Sequence, residues 1–300
     1  MSIDLKSLEL FIRVAEYSAI GKAGEEFGLS PTSATQRIQA LEKAVGAQLF
    51  HRSTRTVALS SDGEVFLAHA KSIMASVEDA LADVQSEPQA MRGNLRVASS
   101  ASFGRKHLAP YIAEFLELHP DIKIQLHLTD TAVDIIGEGF DLAIRLGALA
   151  PSSLKAKKIG ISPRIIVASP TYLTRYGRPN HPDELEAHNC LVRSDMRSWS
   201  FASTGGSAFE TNISGNFSTN LAEAVTEAAL SGLGVARKCK WEIDTYLDTE
   251  QLVTVLNDYT VTPEWNVYAV RSPSRILSAR VRAFAEYLER KYKSVPALQV

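Results

Sequence analysis

Cysteine is nearly absent: Cys190 and Cys239 are the only two in 300 residues, and they form neither a CxxC pair nor a metal-ligand cluster. A disulfide framework does not fit such a chain in a reducing compartment, so both thiols read as structural, with a thiol sensor as the other reading. Long apolar runs are missing as well. Nothing approaches the roughly 18 or more residues of a membrane helix, and the start MSIDLKSLEL carries no signal-peptide pattern, so the expected location is the cytoplasm. Enzyme signatures are lacking too. His51, His69, His107, His119, His127, His181 and His188 never take the i, i+4 spacing of a helical metal pair, and there is no GxSxG elbow or phosphate loop. Catalysis is the weaker class, and no cofactor or metal is expected. Charge of one sign is also short: the net charge of −2 gives no argument for nucleic-acid binding by the chain as a whole. No internal repeat or low-complexity segment occurs.

What is present starts with size: 300 residues, 45% of them hydrophobic, are enough for two or three domains with proper cores. The most informative stretch is Ser30 to Leu59. Ser30 can cap a helix and Pro31 suits its first position, where a missing N–H does no harm. Ala34, Ile38, Leu41 and Val45 then fall on one buried face, and Gly46 ends the helix in a left-handed conformation. The other face carries Thr32, Ser33, Thr35, Gln36 and Arg37, groups able to read base edges and grip a phosphate. Leu8, Phe11, Ile12 and Ala15 predict a first helix, Ile20, Ala23 and Phe27 a short second one, and Gly28 the turn of a helix-turn-helix. Gln48 to Leu59 reads as a two-stranded wing around His51-Arg52-Ser53-Thr54-Arg55-Thr56. Arg37, Lys43, Arg52 and Arg55 against Glu42 leave this region locally basic. The alternative is an ordinary helical subdomain with a solvated polar face.

LFIRVAEYSAIGKAGEEFGLSPTSATQRIQALEKAVGAQLFHRSTRTVALSSDGEVFL resembles the N-terminal domain of LysR-type transcriptional regulators, with LSPTSATQRIQALE and LFHRSTR at the positions of the family signature. Two departures are Ala19-Ile20-Gly21, replacing a bulkier helix start, and Gly24, where Ala is typical. A helical glycine costs about 1 kcal/mol relative to Ala, so a softer second helix is expected. The resemblance implies an all-α winged helix-turn-helix domain (1–60), a linker helix (61–88), a hinge (89–93) and an α/β two-lobed, Rossmann-like effector domain related to periplasmic binding proteins (94–300). Lobe I would hold about 94–161 and 267–300, and lobe II about 162–266. The implied function is a sequence-specific transcription regulator, bacterial and not an enzyme, modulated by a small-molecule effector. The alternative is a ligand-binding or enzymatic α/β protein whose helical domain binds no DNA. Implied partners are double-stranded promoter DNA, the effector, other copies of the chain as a dimer and tetramer, and RNA polymerase; no membrane is involved.

On DNA, Thr32, Thr35 and Gln36 are expected near bases and Ser18, Arg37, Arg52 and Arg55 near phosphates, with Pro31 and Ser33 also in the DNA-binding set. Many relatives carry Arg where Gln36 stands; a glutamine amide instead pairs well with adenine.

Residues 61 to 88 show a near-heptad seam of Phe66, Ala70, Ile73, Val77, Leu81 and Val84. A helix packed on its own domain would explain it. With a complete domain before it and Pro88 and Gly93 after it, a partner helix is the favoured cover, and the resemblance implies an antiparallel dimer.

From Asn94 the pattern alternates strands and helices, which predicts a parallel sheet. Its strands are Leu95 to Ala98, Ile122 to Leu128, Asp141 to Gly147 and Arg164 to Val167, with helical faces at Leu108 to Leu116, Leu221 to Ala228 and Leu277 to Leu288. Open sheets bind ligands at the carboxyl ends of their strands. That selects Ser99, Ser100 and Ser102, then Thr129 and Asp130, then Arg145, and across the cleft Trp199, Ser200 and Phe201, with Ser218, Thr219 and Asn220 at a helix start. Hydroxyls and helix-start N–H groups suit anions, so a small organic anion, such as a carboxylate, is the expected effector.

Overall fold

In a computed structural model the described residues are 3–52, 57–85, 91–131, 133–193, 196–203, 206, 208–273 and 277–299. Arg55 lies outside them, and the side chains of Arg52 and Val84 are likewise not among those described.

Helices α1 (Leu5–Tyr17), α2 (Ile20–Glu26) and α3 (Pro31–Val45) build the N-terminal unit. Each boundary has a local cause. Asp4 caps α1 by accepting from the Ser7 N–H at 2.9 Å, and Ser30 caps α3 through the Ser33 N–H at 3.2 Å, contacts of a kind worth about 1 kcal/mol each. Gly46, at φ 80°, closes α3 and donates its N–H to the Glu42 carbonyl. Leu10, Phe11, Val14, Ala23, Ala34, Ile38 and Leu49 are buried together as the core. Strands β1 (Phe50–Arg52) and β2 (Val57–Leu59) pair antiparallel as the wing. The Glu42 carboxylate holds that wing against α3, accepting from the Leu49 and Phe50 N–H groups at 3.0 and 3.2 Å.

Two expectations change here. Gly24 is buried, and a Cβ built on it would sit 2.7 Å from the Ala34 Cβ. It is the contact that seats α2 on α3, not simply a soft spot, because a side chain would force the recognition helix away. The seam on α4 (Ser61–Gln85) is also divided. Ala70 is fully buried and Phe66 half-buried in the core of the N-terminal unit, with the Phe66 ring centroid 5.3 Å from that of Phe11. Phe66 therefore packs at least in part on its own domain, as do the first turns of α4, and further along the seam turns outward, with Ile73 43% and Leu81 55% exposed.

After Gly93 come β3 (Gly93–Ser99), α5 (Ala101–His107), α6 (Ala109–Leu118), β4 (Ile122–Leu128), β5 (Leu142–Gly147) and β6 (Lys155–Ile161). The chain then crosses into a second sheet through β7 (Arg164–Ala168), α7 (Pro170–Tyr176), β8 (Cys190–Arg193), β9 (Ser198–Ser203), β10 (Ala208–Asn212), β11 (Ser218–Thr219), α8 (Ala222–Leu230), β12 (Val235–Cys239), α9 (Lys240–Asp248), β13 (Val253–Val255) and β14 (Tyr259–Thr262). It returns as β15 (Asn266–Arg271) and ends in α10 (Ala279–Tyr292).

The sheet orders are β4-β3-β5-β15-β6 and β11-β8-β12-β7-β13, with a separate antiparallel β10-β9-β14. Neither large sheet is wholly parallel, contrary to expectation. Strands joined by helical crossovers, β3 with β4 and β8 with β12, are parallel as such connections require. Strands that carry the chain out of or back into a lobe run the other way, β15 against β5 and β6, and β7 against β12. The two crossings touch, the Ser162 N–H donating to the Trp265 carbonyl at 2.8 Å. Both lobes therefore hang on one short pair of connections, with a cleft beside them.

Candidate nucleic-acid interface and interlobe cavity

On α3 the residues expected to meet DNA are on the outside. Pro31, Thr32, Ser33 and Gln36 are exposed, while Thr35 and Arg37 are half-buried. Their hydrogen bonding separates them further. Thr35 donates its hydroxyl to the Pro31 carbonyl at 2.8 Å, which leaves its lone pairs and methyl group for a base. Ser33 is engaged in the cap, its hydroxyl 2.9 Å from that of Ser30. Thr32 and Gln36 keep their full hydrogen-bonding capacity among the described contacts. Arg37 lies near Asp4, whose carboxyl is held below its ordinary range chiefly by the Ser7 hydroxyl. Ser18 ends α1 in a left-handed turn at φ 52° and is exposed.

Between the lobes lies a cavity of about 530 Å³, well within the range of ligand sites. Ser99, Ser100, Ser102, Thr129, Asp130 and Arg145 line it from lobe I, and Trp199 from lobe II. Among the described residues, the buried Ser99 and Ser102 hydroxyls have no hydrogen-bond partner. Arg145 donates to the Val133 carbonyl at 2.7 Å, so the charge of its guanidinium is not cancelled by that contact. Asp130 spans the cleft: one carboxylate oxygen accepts the Ala101 N–H at 3.0 Å and the other the Ala222 N–H at 3.5 Å. It serves the starts of α5 and α8, which have no side-chain caps of their own. Arg105 with Glu223 links α5 to α8 and Lys106 with Asp244 links α5 to α9, each pair 2.6 Å apart across the lobes.

Ser200, Phe201, Thr219 and Asn220 do not line the cavity. Phe201 is completely buried in the core of lobe II, and Ser200 points to the opposite side of β9, as strand alternation requires. Thr219 accepts the Leu221 N–H at 3.1 Å in the turn before α8, and that helix starts at Ala222, later than the sequence suggested, so Asn220 stays outside.

Sequence reasoning missed the most strongly charged part of the wall. Arg164, Arg193 and Arg237, from strands β7, β8 and β12, all line the cavity. Arg164 and Arg237 lie over the rings of Trp265 and Trp199, at 4.3 and 5.4 Å from the centroids. Burial pulls Arg164 down to about 10. Burial, followed by the nearby Arg164 and Arg193 charges, pulls Arg237 down to about 9. Among the described residues none of the three has a carboxylate partner. The available signal was an arginine within each of the apolar strands Arg164-Ile165-Ile166-Val167 and Val235-Ala236-Arg237. Both thiols are core groups, pushed up by burial to about 12 for Cys190 and about 11 for Cys239, far from the values of a reactive thiolate.

Known proteins share this arrangement. Residues 5–64 match the family described as "Bacterial regulatory helix-turn-helix protein, lysR family", and residues 88–293 match the "LysR substrate binding domain". An HTH-type transcriptional regulator of Xanthomonas campestris pv. campestris (strain 8004) is 33% identical over 295 residues, covering 96% of this chain and 85% of that protein. The HTH-type transcriptional regulator DmlR of Escherichia coli (strain K12) is 32% identical, with coverage of 96% and 94%. The full-length virulence activator AphB of Vibrio cholerae, a member of the LTTR family, superposes with a TM-score of 0.61 at 26% identity, covering 95% of this chain and 98% of that one. These relatives are regulators and not enzymes, and among the described residues no helix is long and apolar enough to cross a membrane. Through both its reading head and its two-lobed domain, the chain belongs to the LysR family of bacterial transcriptional regulators, which bind DNA and small-molecule effectors.

Proposed function

We propose that a small organic anion, bound between the lobes, controls how a dimer of this regulator grips a two-fold related promoter site. The carrying observation is the group of arginines in the cavity, Arg164 and Arg237 half-buried and Arg193 exposed, with no carboxylate partner among the described residues. An uncompensated buried charge is expensive, and an incoming carboxylate offsets that cost. Unpartnered Ser99 and Ser102 hydroxyls would meet the ligand's polar groups from the other lobe. The division into a reading head (1–60), linker helix (61–88), hinge (89–93) and two lobes belongs to this reading.

On DNA, Thr32, Thr35 and Gln36 read base edges while Ser18, Arg37, Arg52 and Arg55 meet phosphates. Subunits join through the outward part of α4, around Ile73, Val77 and Leu81, which sets two recognition helices one or more DNA turns apart. Pairing of dimers into a tetramer, contact with RNA polymerase and a cytoplasmic location rest on family likeness alone. Effector occupancy shifts the arrangement only by its differential affinity, commonly about 1–3 kcal/mol.

The test is selection of bound sequences from random duplex DNA by the purified protein, with a salt titration on the winning site. An interrupted palindrome bound with a steep loss as salt rises is the expected result. Failure of a folded dimer to enrich any sequence would refute the DNA part. For the effector part, calorimetry showing no preference for carboxylates over neutral analogues counts against the reading.

A further inference from the structure

The cavity wall is more positive than one carboxylate would require. Among its described lining residues are five cations, Arg145, Arg164, Arg193, Arg237 and Lys238, against two carboxylates, Asp130 and Glu242, an excess of three positive charges. The carboxylates are already engaged. Glu242 pairs with Lys238 at 2.7 Å, both nearly buried, and Asp130 receives the N–H groups of Ala101 and Ala222.

The arginines of lobe II form a group and not a scatter. Strands β7 and β12 pair so that Ile166 is opposite Arg237 and Arg164 opposite Cys239. Arg164 and Arg237 are therefore diagonal neighbours on one face of the sheet, a relation that separates backbones by about 7–8 Å. Arg164 is braced by carbonyls of the crossing, donating to Thr262 and Pro263 at 3.0 and 2.7 Å, and its buried Nε has no partner among the described residues. Arg237 lies against Trp199, and Arg193, at the end of β8, is exposed on the same cavity. Like charges held this close repel, and a singly charged ligand would neutralise only part of the excess.

We infer that the effector is a small dianion, its negative charges taken by Arg164, Arg237 and Arg193 of lobe II while Ser99 and Ser102 close on it from lobe I. This inference rests on the anionic-effector reading and narrows it. A molecule with two separated carboxylates and one with a single doubly charged group share the required chemistry.

The experiment uses the full-length protein and three molecules of nearly one shape: succinate, succinamate and succinamide, bearing two, one and no negative charges. Sulfate is added as the compact dianion. Binding is read by calorimetry and by the rise in melting temperature at matched ionic strength. The expected result is that succinate or sulfate binds at least about ten-fold more tightly than succinamate. Succinate alone would indicate separated charges, and sulfate alone a single doubly charged group. Arg237→Gln and Arg193→Gln should each shrink that preference; Arg193 is exposed, so its variant keeps the fold if that of Arg237 does not. Dianions binding no tighter than succinamate overturn the inference and leave an anionic effector standing. Succinamide binding as well as succinate overturns both. No binding of either dianion at about 10 mM also overturns the inference, since such an excess of positive charge should register a dianion in that weak range.

Discussion

Gly24→Ala should loosen the reading head although alanine is the better helix former. Its Cβ would stand 2.7 Å from the Ala34 Cβ and 3.5 Å from the Leu29 carbonyl oxygen. Carbon atoms in contact prefer about 3.5–4.0 Å, so α2 and α3 must part by roughly 1 Å. Ala34 is completely buried and has no rotamer with which to yield. Overpacking of this kind costs about 1–3 kcal/mol, set against about 1 kcal/mol gained in helix propensity. The net loss is up to about 2 kcal/mol, and α3 moves relative to α1 and the wing. Hydrogen exchange of α2 and α3 amides gives the local opening free energy, and a DNA titration gives the functional cost. The decisive comparison is with Ala34→Gly, which removes the opposing methyl. In the double variant the clash is gone, so a favourable coupling of about 1–3 kcal/mol is expected. Additive effects within about 0.5 kcal/mol, or a stabilised Gly24→Ala single variant, would refute the close-contact account.

Gln36→Ala should change base preference at one position per half-site, at a cost of about 1–3 kcal/mol; equal loss on every sequence would show that Gln36 reads no base. Arg37→Ala should instead weaken all sequences and flatten the dependence of affinity on salt, and an unchanged slope would place Arg37 away from phosphates. His107, at the α5 end between Phe103 and Trp241, is pushed down to about 4 by burial and then by Lys106. Its ordinary value is 6.5, so between these values the unfolded chain binds the proton that the folded chain refuses, and stability falls as pH drops. His107→Phe should remove about 3 kcal/mol of that acid loss between pH 7 and 4, measured as the difference between the two urea-unfolding profiles; parallel profiles would refute it. Glu242→Ala strands the buried Lys238 ammonium, which is 3% exposed, and should destabilise lobe II by about 3–5 kcal/mol. A loss below about 1 kcal/mol by chemical denaturation would mean that solvent reaches this pair.

The reading head was legible because its determinants are local. Ser30, Pro31 and Gly46 set the ends of α3 through their own backbone chemistry, and a spacing of three and four identifies its buried face without knowledge of what covers it. The cavity residues of lobe I were legible for a related reason, since loops at the carboxyl ends of parallel strands face one crevice whatever the rest of the fold. Trp199 was the expected residue of lobe II that reached the cavity, because β9 packs in a separate antiparallel sheet and buries Phe201 in the core.

The sequence by itself determined the capped recognition helix, its polar face, the wing and the alternating strands and helices of the second domain. Only the tertiary structure decided that Phe66 and Ala70 cover the reading head, that Glu42 holds the wing, that Gly24 is a contact between helices, and that Arg164, Arg193 and Arg237 share one cavity. Capping and periodicity act over a few residues and leave a trace in the order of the chain. Burial and charge depend on which distant segments meet: Arg164 and Arg237 lie more than seventy positions apart, and the pairing of β7 with β12 makes them neighbours.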